Sequence, residues 1–225
     1  LLDIAKAIEK KIFELGGIPA FPVNISINDI AAQYTPRYND TSTLTTGDLV
    51  KIDFGVHIDG YPADIAFSAS VGKNEENEKL IAASRAALDA AMTAVKPKAK
   101  VSDIGAKIDA AAKKAGFQVI RNLSGHGVKK YDLHAEPSIP NFDNGDDTKL
   151  EEDTLIAIEP FITSGQGFVI EGDLCEIYRI VRFGQTRDKD VFDFIKKEYY
   201  TLPFAKRWVV EKFGPMKASL AIREA

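Results

Sequence analysis

Cysteine is almost missing from this chain. Cys175 is the only one among 225 residues, which excludes an internal disulfide framework or a paired-cysteine zinc site and fits a reducing compartment. Long apolar runs are missing as well. None approaches the roughly 20 residues that a membrane-spanning helix needs, and no signal-peptide pattern opens the chain, so the cytoplasm is the default location and no membrane partner is expected. An excess of basic charge is also lacking: 29 Lys and Arg stand against 33 Asp and Glu, for a formal net charge of −4. A dedicated nucleic-acid surface is therefore not expected. There is no Walker loop, no G-x-G-x-x-G and no G-x-S-x-G elbow, so phosphate-cofactor and serine-hydrolase chemistry have no foothold.

What is there suffices for a globular protein. With 225 residues and 45% hydrophobic content, the chain can bury a sizeable core as one large domain or two small ones. It opens without Met in a helical pattern and closes in another, which reads as a segment cut at both ends.

The most informative stretch is Lys51-Ile-Asp-Phe-Gly-Val-His-Ile-Asp-Gly-Tyr-Pro-Ala-Asp64. Asp59-Gly60 between apolar-rich segments is a hairpin signal, and a two-residue turn there pairs Ile58 with Tyr61 and Asp53 with Ala66. Side chains alternate along a strand, so Asp53 and Asp64 share a face as diagonal neighbours. Like charges that close repel, which leaves a shared-proton dyad or a metal site; the alternative is two solvated aspartates on an exposed face.

Around the hairpin the pattern alternates helix and strand. Residues 2–15 carry apolar positions at helical spacing and stop at Gly16-Gly17. A Pro-punctuated, extended segment follows through Pro36. A helix is expected over 75–95, with Leu80, Ile81, Leu88, Met92 and Val95 as its apolar stripe, and a second one capped by Ser102 and ending near Gly116. Short strands are expected at 118–123 and 174–181, with Ser124-Gly-His-Gly127 as a glycine-flanked turn presenting His126. The acidic loop 141–148 lacks the glycine at the sixth position of a calcium loop, so it is a solvated turn. Residues 154–161 suit a strand buried on both faces, with Glu159 inside it. A buried carboxylate must be protonated, paired or metal-bound, and no Lys or Arg lies in this run; a salt bridge to a distant residue is the alternative.

Asp53, Asp64, His126 and Glu159 form an oxygen-rich set with one imidazole, which favours divalent Mn, Fe, Co or Zn, and carboxylates can bridge two such ions. In chain order, Phe21-Pro-Val-Asn, Ala31-Ala-Gln-Tyr-Thr-Pro, Lys51-Ile-Asp-Phe-Gly, Asn122-Leu-Ser-Gly-His-Gly, Leu133-His-Ala and Ala157-Ile-Glu-Pro-Phe resemble the type 2 methionine aminopeptidases in their archaeal form. The resemblance implies an α+β pita-bread fold, a curved antiparallel sheet with outer helices, over residues 1–182, incomplete at its C-terminal side. Residues 183–225 would begin the helical insert of type 2 members. It further implies two divalent ions (Co, Mn, Fe or Zn), with Asp53 on one, Asp64 bridging, and His126 and Glu159 on the other. Hydroxide generated between the ions would attack the first peptide bond of nascent proteins bearing N-terminal Met, with Glu159 as proton shuttle. His134 would bind the substrate carbonyl region, and Phe21 and Leu133 would line the methionine pocket. A monomer is expected, with ribosome association left open.

Two positions depart from the family pattern. Gln33 stands where the family has a histidine at the mouth of the site, so hydrogen bonding remains there while acid–base chemistry is lost. The family's fifth ligand, a glutamate from a C-terminal strand, has no counterpart; Glu224 is the only late candidate, and its helical context argues against it. A weakly held second ion follows for these 225 residues. The alternatives are a pita-bread protein that binds peptides or partners without cleaving them, and a proline-specific dipeptidase of the same fold.

Overall fold

The computed structural model describes residues 1–173, 175–183 and 188–224, the side chains of Arg223 and Glu224 excepted. Helix α1 (Leu2–Glu14) buries Ala5, Glu9 and Ile12. It ends at the glycine pair: Gly16 adopts φ +86°, and the N–H groups of Gly16 and Gly17 return to the carbonyls of Phe13 and Ile12.

The Pro-punctuated segment is a strand, β1 (Ile18–Ile27), at the edge of a three-stranded antiparallel sheet with β2 (Leu49–Ile58) and β3 (Tyr61–Ser70). Pro19 and Pro22 offer no N–H, and an edge position with register shifts at Pro19/Phe21 and Phe21/Asn24 accommodates them. The β2–β3 register is the one the turn dictates, with Ile58 opposite Tyr61 and Asp53 opposite Ala66. Asp59 and Gly60 both take left-handed φ, +52° and +84°, as a primed two-residue turn requires. Ala5 of α1 packs with Val23, Ile25 and Val50 on one face of this sheet, leaving the aspartate face free.

Helices α2 (Glu75–Met92) and α3 (Val101–Lys114) follow. The stripe of α2 differs from expectation: Ala83, Ala87 and Ala91 are its buried residues, while Met92 is exposed and the helix stops there. Small residues let α3 approach, so Ala87 and Ala91 share a core with Ile104 and Ile108. Nor is Ser102 a cap. It lies buried inside α3, whose first N–H, on Val101, is met by the Thr148 carbonyl at 2.9 Å; a distant loop does the capping.

The second half holds β4 (Gln118–Val119), β5 (Ser124–Lys129), β6 (Asp132–Pro140), β7 (Ile156–Ala157), β8 (Ile162–Thr163) and β9 (Ile177–Tyr178). Strands β6, β5 and β7 form a second three-stranded antiparallel sheet with β5 central, and β4 pairs with β8. The strands expected at 118–123, 154–161 and 174–181 shrink to two-residue pairings, Leu174 lying outside the described residues. In the acidic loop, Asp143, Asn144 and Asp146 accept the N–H groups of Gly145, Asp146 and Thr148, which spends those side chains on turns.

The chain continues through α4 (Lys189–Glu198), β10 (Phe204–Ala205), α5 (Lys206–Phe213) and α6 (Pro215–Glu224). These elements share a core of Ile180, Val191, Ile195, Phe204 and Val209. Strand β10 pairs with β9, and buried Arg207 of α5 hydrogen-bonds Glu9 of α1 while Trp208 Nε1 donates to the other Glu9 oxygen at 3.0 Å. Among the described residues, no helix is long and apolar enough to cross a membrane.

Candidate metal centre

Two hairpins and the segment after β7 supply the candidate site. The first, β2–β3, carries Asp53 and Asp64 on its shared face as the register requires. The second, β5–β6, carries His126, and here the expectation of a turn is corrected: His126 sits within β5, opposite Ala157 of β7. Its flanking glycines serve a different purpose. A Cβ at Gly125 would overlap the Ala157 carbonyl, and one at Gly127 the Glu136 carbonyl, so glycine lets both neighbouring strands close on the histidine. Because Ala157 pairs with His126, Glu159 two residues later projects to the same face.

Glu159 is a second correction. It lies just past a two-residue strand, and its side chain is 24% exposed. The hydrophobic run that suggested a strand buried on both faces instead sends Ile156 and Ile158 against the α2–α3 core. The carboxylate still has no lysine or arginine in salt-bridge contact among the described residues; what it faces is His126, whose Nε2 lies 3.1 Å from Glu159 Oε1 and 3.5 Å from Asp64 Oδ2.

One ligand atom from each of Asp64, His126 and Glu159 lies within 4.8 Å of the others. The chemistry of this set fits a divalent cation. Asp53 Oδ1 is buried with no hydrogen-bond partner among the described residues, a cost that coordination would remove. The Nδ1 of His126 lies 3.0 Å from the Gly127 carbonyl; a metal-bound imidazole would donate there and turn its Nε2 lone pair to the ion. Burial, then the charges of Asp64 and Glu159, push Asp53 up to about 7. Burial pulls His126 down, but Asp64, Glu159 and the Gly127 carbonyl outweigh it and hold it at about 10. A dication would displace the protons these groups retain.

The remaining residues lie around this cluster. His134, on β6, packs edge-on against His126 with ring centroids 4.5 Å apart; partial desolvation and then the charge of His126 hold its pKa below the usual histidine value. Phe21 and Leu133 are both buried and meet, with Ala20 and Leu202, in one apolar cluster. Phe21 covers Gly55, the residue paired with Asp64. Gln33 is exposed and holds left-handed φ +59°. The side chain of Glu224 lies outside the described residues. One contributor escaped the sequence reading: Asn24 Nδ2 donates to Asp53 Oδ2 at 3.3 Å. Its signal was an amide in a strand whose other residues, Ser26 apart, are apolar.

A model of the metallopeptidase family M24 matches residues 1–187. The chain belongs to this family. A methionine aminopeptidase of Pyrococcus abyssi is 45% identical over 227 aligned positions, covering 99% of this chain and 76% of that protein. One from Archaeoglobus fulgidus is 46% identical, covering 93% of this chain and 72% of that protein. The crystal structure of a methionine aminopeptidase from Thermotoga maritima superposes with a TM-score of 0.71 at 28% identity, covering 76% of this chain and 72% of that one. The M24 chain thus has the pita-bread architecture, and a divalent metal is the family's cofactor.

Proposed function

We propose that this M24 chain is a methionine aminopeptidase that removes N-terminal Met from nascent polypeptides in the cytoplasm. The observation carrying this reading is the convergence of Asp64, His126 and Glu159 beside the orphaned Asp53 oxygen, with the apolar cluster of Phe21 and Leu133 next to it. Asp53, Asp64, His126 and Glu159 would hold two divalent ions. Such ions lower the pKa of water and polarise the scissile carbonyl.

The chain's own groups do the rest. Glu159, whose carboxylate faces His126, takes the proton from the attacking water and delivers it to the departing amine. His134 donates a hydrogen bond to the substrate carbonyl region from its exposed side of the His126 ring. Phe21 and Leu133 receive the methionine side chain, whose unbranched thioether suits an apolar wall. Gln33 can orient a substrate by hydrogen bonds but cannot exchange a proton.

Incubating the chain with Co²⁺ or Mn²⁺ and a Met-Ala-Ser peptide is expected to release free methionine, with activity lost to EDTA and restored by added metal. Preferential cleavage of a Met-Pro dipeptide would point to the dipeptidase reading, and metal uptake without cleavage to a binding protein. Installing the titratable group at the mouth, Gln33→His, is expected to raise kcat/KM roughly 10-fold, short of the ~100-fold or more that a fully positioned acid or base contributes. An unchanged or lower value refutes a limiting role for Gln33.

A further inference from the structure

The two hairpins that carry the candidate ligands belong to different sheets, β1-β2-β3 and β6-β5-β7. Something must set their distance, since a misplacement of about 1 Å degrades a coordination site. Among the described residues, one backbone hydrogen bond joins them: Tyr131 N–H donates to the Gly60 carbonyl at 2.7 Å. Both partners are turn residues. Gly60 closes β2–β3, and Tyr131, with Lys130, closes β5–β6 between paired Lys129 and Asp132.

The contact is more than a single bond. A Cβ at Gly60 would clash with one edge of the Tyr131 ring, so the ring rests directly on the turn. Beneath it, Gly60 N–H donates to His57 Nδ1 at 3.2 Å, and the His57 and Tyr131 rings lie 6.2 Å apart. From the other side, the Thr201 hydroxyl donates to the Tyr131 carbonyl at 2.6 Å, and Tyr200 meets the ring edge-on at 5.1 Å. Tyr131 itself holds φ +57°, which a residue with a Cβ adopts at a cost. The hydroxyl of Tyr131 makes none of these contacts; the backbone and the ring face do.

The geometry points to Tyr131 as a positioning residue for the metal centre: by lacing the Gly60 turn to its own, it fixes Asp53 and Asp64 against His126. This inference rests on the metal reading of the site. Its test is calorimetric titration of the 225-residue chain with Co²⁺, together with the visible absorption of the bound ion. Tyr131→Ala is expected to weaken Co²⁺ binding about 10-fold or more, the range of outer-shell losses, and to alter the absorption bands. Tyr131→Phe, which keeps ring and backbone, should retain native affinity and spectrum. If Tyr131→Ala does not fold, Gly60→Ala displaces the same ring and takes its place.

A Tyr131→Ala variant with lower melting temperature but native affinity and spectrum overturns the inference and leaves the metal reading intact. So does a Tyr131→Phe variant as impaired as Tyr131→Ala. Native chain that takes up no Co²⁺ overturns both.

Discussion

Replacing Asp64 with asparagine is expected to weaken divalent-metal binding by more than about 100-fold, beyond the typical penalty for losing an outer partner. Asparagine keeps the shape and one acceptor oxygen but removes the charge. Asp64 lies 3.5 Å from His126 Nε2 and is, after burial, the largest cause of the raised Asp53 pKa. In the metal-free protein the same substitution relieves repulsion of Asp53 but also removes an attraction for His126. The two effects oppose each other, so thermal melting without metal should show only a small change while calorimetry shows the affinity gone. That contrast separates a metal-ligand role from a structural one. Native-like affinity for Co²⁺ or Mn²⁺ would remove Asp64 from the site.

The second large effect lies far from the metal. Breaking the Glu9–Arg207 pair with Glu9→Gln is expected to cost about 3–5 kcal/mol of unfolding free energy, because a buried guanidinium loses its counter-charge. Arg207 is 1% exposed, and its Nε and Nη1 lack partners among the described residues. Glutamine still accepts from Trp208 Nε1, so the loss isolates the charge. Burial raises the Glu9 pKa against the pull of Arg207 and lowers that of Arg207 against the pull of Glu9. Both shifts say that desolvation outweighs attraction. Adding Arg207→Met to Glu9→Gln should then recover most of the loss in a urea titration. A double variant less stable than Glu9→Gln alone would show instead that the pair is a net stabiliser.

These two sites differ in how visible they were beforehand. The Asp53–Asp64 geometry was legible because a two-residue turn and period-2 alternation fix it locally, and Asp59-Gly60 leaves few other registers. His126 was picked out for its glycines, but for the wrong local reason. Sequence places a Gly-His-Gly in a turn by propensity, whereas here the glycines admit carbonyls from β6 and β7, partners far along the chain. Ser102 failed the same way, since the Thr148 carbonyl meets the need for a cap. Glu9, Arg207 and Tyr131 carry no local mark at all. Their roles exist only once distant segments meet.

The Glu9–Arg207 contact spans 198 positions, which sets an order of events during synthesis. A chain growing from its N-terminus at about 5–20 residues per second keeps Glu9 waiting roughly 10–40 s for its partner. Until then α1 carries an unmatched carboxylate on the face it will bury. The first hairpin can form early from local contacts, but the seal between α1 and α5 closes late. During synthesis the seam, not the hairpins, is therefore the last of these contacts to form.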